Sequence, residues 1–78
     1  MQIIVYGPGC ARCRETEKLV RAVAAEVDVA ADIQKVSDFA AMAKAGVLTT
    51  PAVAVNGVVK STGRIPDKDE IRTWLSGN

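Results

Sequence analysis

Cys10 and Cys13 are the only cysteines of the chain, separated by Ala11 and Arg12. Two thiols at this spacing can exchange electrons as a dithiol–disulfide couple, lend two ligands to a metal, or lie inert. As a structural cross-link they would be weak, because so short a loop restricts the unfolded chain very little. A structural zinc site needs four ligands, and the chain has no histidine. Redox chemistry is therefore the leading reading, and a small metal-binding protein or metallochaperone using the two thiolates is the alternative.

The flanking residues indicate how the thiols are held. Gln2-Ile3-Ile4-Val5-Tyr6 is an apolar, β-branched run closed by Gly7-Pro8-Gly9, which predicts a central strand buried on both faces. Leu19, Val20, Val23 and Val27 recur at helical spacing among charged residues, which predicts a helix from about Ala11 to Glu26. The cysteines then sit at its start, where unpaired N–H groups and the helix dipole favour a thiolate, and where Arg12 and Arg14 add positive potential. Arg12 is the candidate thiolate-stabilising residue. Lowering a thiol pKa from about 8.5 to about 7 raises the thiolate fraction at neutral pH roughly sixteen-fold, but the weaker nucleophile gives back about five-fold. Only about a three-fold gain remains, so access, geometry and the second thiol must supply the rest.

Further along, weak alternation from Val27 to Gln34 puts Val29, Ala31 and Ile33 on one side and predicts a second strand. Ser37 is the expected N-cap of a short helix turning Phe39, Met42 and Ala43 inward, with Gly46 as its stop. From Pro51 to Thr62, two strand-like runs joined by Asn56-Gly57 predict a hairpin with a type I′ turn. Asp67 and Glu70 form a capping-box pattern ahead of Ile71, Trp74 and Leu75 on one helical face. The order βαβαββα predicts an α/β fold with a four-stranded mixed sheet flanked by helices, in a single domain over residues 1–78.

This pattern resembles the thioredoxin superfamily: a strand leads into Cys-x-x-Cys at a helix start, and Thr49-Thr50-Pro51 opens the third strand. Gly7-Pro8-Gly9-Cys10-Ala11-Arg12-Cys13, Gly46-Val47-Leu48-Thr49-Thr50-Pro51-Ala52 and Asn56-Gly57 are similar to motifs of its compact, redox-active disulfide group. The resemblance covers essentially the whole chain. It implies a thioredoxin-like fold with a cis Thr50–Pro51 bond opposite the cysteines. Thr50 and Pro51 would bind substrate through the backbone before the proline, with Gly63 lining the same groove. It also implies a thiol–disulfide oxidoreductase in which Cys10 is the nucleophile and Cys13 resolves the mixed disulfide. The partners expected are a protein disulfide and an external reductase or dithiol donor, and no cofactor.

The chain departs from conventional thioredoxins in having Ala11-Arg12 between the cysteines, Gly9 before them, and Ile4 at the position of a buried acid. Ser61-Thr62-Gly63-Arg64 does not reproduce the glutathione-binding turn of glutaredoxins. Heavy-metal-binding domains also place Cys-x-x-Cys between strand and helix, but they run βαββαβ and carry Met-Thr before the motif, where this chain has Gly-Pro-Gly.

Composition narrows the setting. The net charge of +1 and the mixing of charges leave no basic stripe for nucleic acid. No apolar run approaches the roughly 18 residues of a membrane span, and Met1 to Tyr6 lacks the basic flank of a signal peptide. A cytoplasmic monomer is expected, in a compartment where paired cysteines are more often catalytic or metal-binding than structural.

Overall fold

Strand β1 (Gln2–Tyr6) pairs on both sides, as its β-branched run predicts. A computed structural model describes residues 1–76 and continues with α1 (Ala11–Glu26), β2 (Asp32–Val36), α2 (Phe39–Lys44), β3 (Ala52–Val55), β4 (Val58–Thr62) and α3 (Lys68–Leu75). The sheet runs β2-β1-β3-β4, with β1 parallel to β2 and the other two pairings antiparallel. The predicted order βαβαββα and the mixed sheet between helices are therefore those of the molecule.

Alternation along the strands divides the interior. Ile3, Val5, Val53 and Val55 face α1 and α3, meeting Val20, Val23, Ala24, Ile71 and Leu75. Tyr6, Ala52 and Ala54 form the other face, with Met42 of α2 and Val47. Asn56 and Gly57 both have positive φ, as a type I′ turn requires, and join β3 to β4. The Asp67–Glu70 capping box is formed on both sides: the Asp67 carboxylate accepts from the Glu70 N–H, and the Glu70 carboxylate accepts from the Asp67 N–H.

Three expectations change between α1 and β3. The second strand starts at Asp32, five residues later than Val27, because α1 ends in a Schellman turn. Asp28 takes the left-handed conformation there (φ 56°), and the N–H groups of Asp28 and Val29 close onto the carbonyls of Ala25 and Ala24. Val29, Ala31 and Ile33 still pack on the edge of the α1 face. Asp38, not Ser37, caps α2, its carboxylate accepting from the Ala40 N–H at 3.1 Å. That start sets the helical phase. Met42 is buried, with Ala45 packed at its side, whereas Phe39 is 72% exposed and Ala43 is exposed too. Gly46 does end the helix, with φ 78° and the Val47 N–H bonded to the Met42 carbonyl.

Candidate active site

The chain leaves β1 through Gly7, whose N–H is tied to the Val36 carbonyl at 2.9 Å, and turns at Gly9 with φ 93°. Only glycine adopts such a φ without strain. The turn delivers Cys10 to the N-cap of α1, where its Sγ accepts from the Cys13 N–H at 3.3 Å. The two Sγ atoms lie 2.6 Å apart, as hydrogen-bonding partners.

Their surroundings differ. Cys10 is exposed at the helix end, whereas Cys13 is 1% exposed beneath it. The hydrogen bond from the Cys13 thiol, followed by that from its backbone N–H, draws the Cys10 pKa below the ordinary thiol value. Burial, followed by the contact with Cys10, pushes the Cys13 pKa up. The first proton lost by the pair therefore comes from Cys10, leaving an accessible thiolate that accepts from a buried thiol.

Two residues of this arrangement went unread in the sequence beyond their local propensity. A Cβ on Gly7 would stand 2.7 Å from the Cys13 Cβ and closer still to its Sγ, so the absence of a side chain at Gly7 makes room for Cys13. Thr16 is completely buried and its hydroxyl donates to the Arg12 carbonyl at 2.9 Å. The spacing of Thr16 with Val20 and Val23 was available as a signal. For Gly7, nothing beyond its place before Pro8 distinguishes a packing role from a turn.

A short chain of hydrogen bonds links the cysteine motif to the other candidate residues. The Arg12 guanidinium donates to the Gly63 carbonyl at 3.2 Å, and the Gly63 N–H donates to the Pro51 carbonyl at 2.9 Å. What Arg12 lends to Cys10 is its backbone N–H, while its side chain spans to the loop after β4. The Thr50–Pro51 bond is cis, Pro51 is fully buried and Thr50 is half-buried. Among the described residues, neither backbone group of Thr50 has a partner. Leu48, two residues earlier, is exposed. Gly63 has φ 74°, and a Cβ there would lie 3.0 Å from the Thr49 hydroxyl. Ile4, at the position of the family's buried acid, packs among apolar residues of the α2 face.

Among the described residues, no group of three or more His, Cys, Asp or Glu side chains is placed to hold a metal ion. Two surface depressions lie elsewhere: one of about 260 Å³ between Leu19, Ala22 and Ile65, and one of about 620 Å³ over α2. Neither includes a cysteine, and Cys10 is exposed at the surface.

An exposed thiol with a lowered pKa and a buried partner thiol, joined at the first turn of a helix that follows a central strand, define a dithiol redox protein of thioredoxin-like fold. The model of the thioredoxin domain family matches residues 1–76. A thioredoxin of Methanothermobacter thermautotrophicus is 37% identical over 76 residues, spanning 97% of this chain and 99% of that protein. A thioredoxin of Methanocaldococcus jannaschii is 34% identical over 79 residues, spanning 96% and 91%. The chain belongs to the thioredoxin family and is a thiol–disulfide oxidoreductase. No helix among the described residues is long and apolar enough to cross a membrane.

Proposed function

We propose that the chain reduces protein disulfides through a mixed disulfide on Cys10 that Cys13 resolves. The carrying observation is the asymmetry of the pair: the exposed thiol has the lowered pKa, and the buried thiol touching it has the raised one. The Cys10 thiolate attacks one sulfur of the target disulfide, the target's S–S bond breaks, and the other target sulfur leaves as a thiolate. Cys13 then attacks Cys10 Sγ, forming the internal disulfide and expelling the second target sulfur. Two electrons pass to the target. With Ile4 in place of an acid, the departing target thiolate is the base that takes the Cys13 proton. An external dithiol or reductase restores the starting state.

The unpaired backbone of Thr50 beside cis Pro51 supports docking of an extended target segment as an added strand, with exposed Leu48 offering an apolar contact. Gly63 keeps the far wall of that groove low. An open surface around Cys10 suits a protein target better than a small molecule, which needs enclosure to bind. The setting proposed is the cytoplasm, with the chain acting as one monomeric domain.

The test is trapping. With a disulfide-bonded target, Cys13→Ser is expected to accumulate the mixed disulfide on non-reducing gels and by mass, whereas Cys10→Ser forms none. Equal trapping through either cysteine would reverse the assignment.

A further inference from the structure

Three of the five arginines sit in carboxylate pairs: Arg21 with Glu17, Arg64 with Glu70, and Arg72 with Glu26 and Asp69. The two that have no carboxylate partner among the described residues, Arg12 and Arg14, are those of the cysteine motif. Each is held by a backbone carbonyl instead. Arg12 Nη2 donates to Gly63 at 3.2 Å, and Arg14 Nη1 donates to Gly9 at 2.8 Å. A carbonyl fixes a guanidinium without neutralising it, and leaves most of its five N–H donors free.

The surrounding segments deepen this bias. Residues 7–14, 46–52 and 61–66 together hold three arginines and no Asp, Glu or Lys, although the chain as a whole has a net charge of only +1. Arg64 is neutralised by Glu70. The nearest acid along the chain, Glu15, lies with Lys18 at the depression on the flank of α1. One free cation is thus anchored on the Pro51–Gly63 side of Cys10 and the other on the Gly9 side. The first turn of α1 contains no acidic residue, so both cations oppose the helix dipole with no carboxylate in that turn to offset them.

We propose that Arg12 and Arg14 select target disulfides flanked by carboxylates, carried on an acidic polypeptide segment lying along Thr50. This rests on Cys10 as the attacking thiol. A polypeptide is favoured over a small anionic disulfide because Cys10 is exposed at the surface, and because the free backbone groups of Thr50 match an extended chain. Carboxylates on either side of the target cysteine complement the two guanidiniums in charge, and complementary charges also speed encounter at low salt.

The experiment measures exchange rates of the reduced protein with four disulfides, by acid quench, alkylation and mass readout. They are neutral 2-hydroxyethyl disulfide, a peptide disulfide with Glu on both sides of its cysteine, the same peptide with Lys, and oxidised glutathione. The Glu peptide is expected to outpace the Lys peptide at low salt by roughly 1.5- to 5-fold for each arginine. That ratio should shrink toward one near 1 M salt, where the screening length is about 3 Å. In Arg12→Gln/Arg14→Gln it should fall to about one at any salt. Losing the arginines also changes the Cys10 thiolate, but that affects both peptides alike and cancels in the ratio. Equal rates for the two peptides, or a preference that survives in the double variant, would overturn the proposal. If oxidised glutathione showed the arginine-dependent acceleration and the Glu peptide did not, the polypeptide assignment would fall. No reaction with the neutral disulfide would overturn the underlying reading of Cys10 instead.

Discussion

The two faces of the sheet are built from different materials. Toward α1 and α3 the central strands present Ile3, Val5, Val53 and Val55, and the helices answer with Val20, Val23, Ile71 and Leu75. Toward α2 the same strands present Tyr6, Ala52 and Ala54, covered by Met42 and Val47. Alanines let a six-residue helix lie close, but they bury little apolar area. Local opening should therefore be easier on the α2 face than on the other. The division bears on function. Cys10 and Cys13 start α1, which is anchored by the better-filled core, whereas the segment entering Thr49–Pro51 comes from α2. On the reading proposed above, the reacting thiols sit on the firmer half and target docking uses the more adjustable one.

Truncation on each face would break this comparison most directly. Ile71 is fully buried in α3, and Ile71→Ala is expected to cost about 3 kcal/mol, within the usual range for a buried isoleucine that leaves a cavity. Met42→Ala should cost about 2 kcal/mol, at the low end of that range, because a short helix can settle toward the alanines below it. Urea unfolding monitored at Trp74 measures both. Hydrogen exchange should show faster local opening of α2 in Met42→Ala, with α1 amides still limited by global unfolding. Equal costs, or α1 amides opening along with α2, would mean that the two faces form one cooperative unit.

The same divide explains which parts of the fold were legible in the sequence. β1, α1, the hairpin and α3 announce themselves through long apolar periodicity, Asn56-Gly57 and the Asp67–Glu70 box, and the structure has them where the pattern puts them. The misread stretch, from Val27 to Lys44, serves mostly the sheet edge and the α2 face. There the Asp28 turn consumed residues that alternated like a strand, and a run of alanines left the helical phase to the choice between adjacent caps, Ser37 and Asp38. The site divided in the same way. The pairing of Cys10 with Cys13 at the start of α1 could be read from type and spacing, because both fall within one helical turn. The Gly7 contact with Cys13 and the pairing of Arg12 with Gly63 depend on tertiary approach, which no local pattern encodes.

Two glycines sharpen the contrast at the scale of one methyl group. Gly7→Ala drives a Cβ into the Cys13 side chain, which must move against packed helix. A cost of about 2 kcal/mol is expected from such overpacking, together with faster alkylation of Cys13 as it is displaced. Gly46, at the end of α2, has no atom within 4 Å of a built Cβ, and only its φ of 78° resists substitution. Gly46→Ala should cost about 1 kcal/mol and leave the relative alkylation rates of Cys10 and Cys13 unchanged. If both variants altered cysteine reactivity, the two faces would be coupled through the sheet more tightly than their packing indicates.

The smallest effect concerns the entry to α3. Arg64 donates to both Glu70 carboxylate oxygens at 2.6 Å, and the Asp67 N–H adds a further bond, holding the Glu70 pKa at about 2 against an ordinary 4.5. The folded chain then binds fewer protons at this group than the unfolded chain across that interval. The stability it contributes is complete above about pH 4.5 and is lost as pH falls toward 2. Glu70→Gln should flatten that part of the acid-unfolding profile while shifting the urea midpoint at pH 7 by less than Gly46→Ala does, since the ion pair is solvent-exposed. The α2 entry has a carboxylate cap but, with Ala41 at the third helical position, no reciprocal acid. Acid-induced exposure followed by hydrogen exchange should therefore lose the wild-type advantage of α3 over α2 in Glu70→Gln. A gap between the two helices that persists unchanged below pH 4 would assign it to core packing alone.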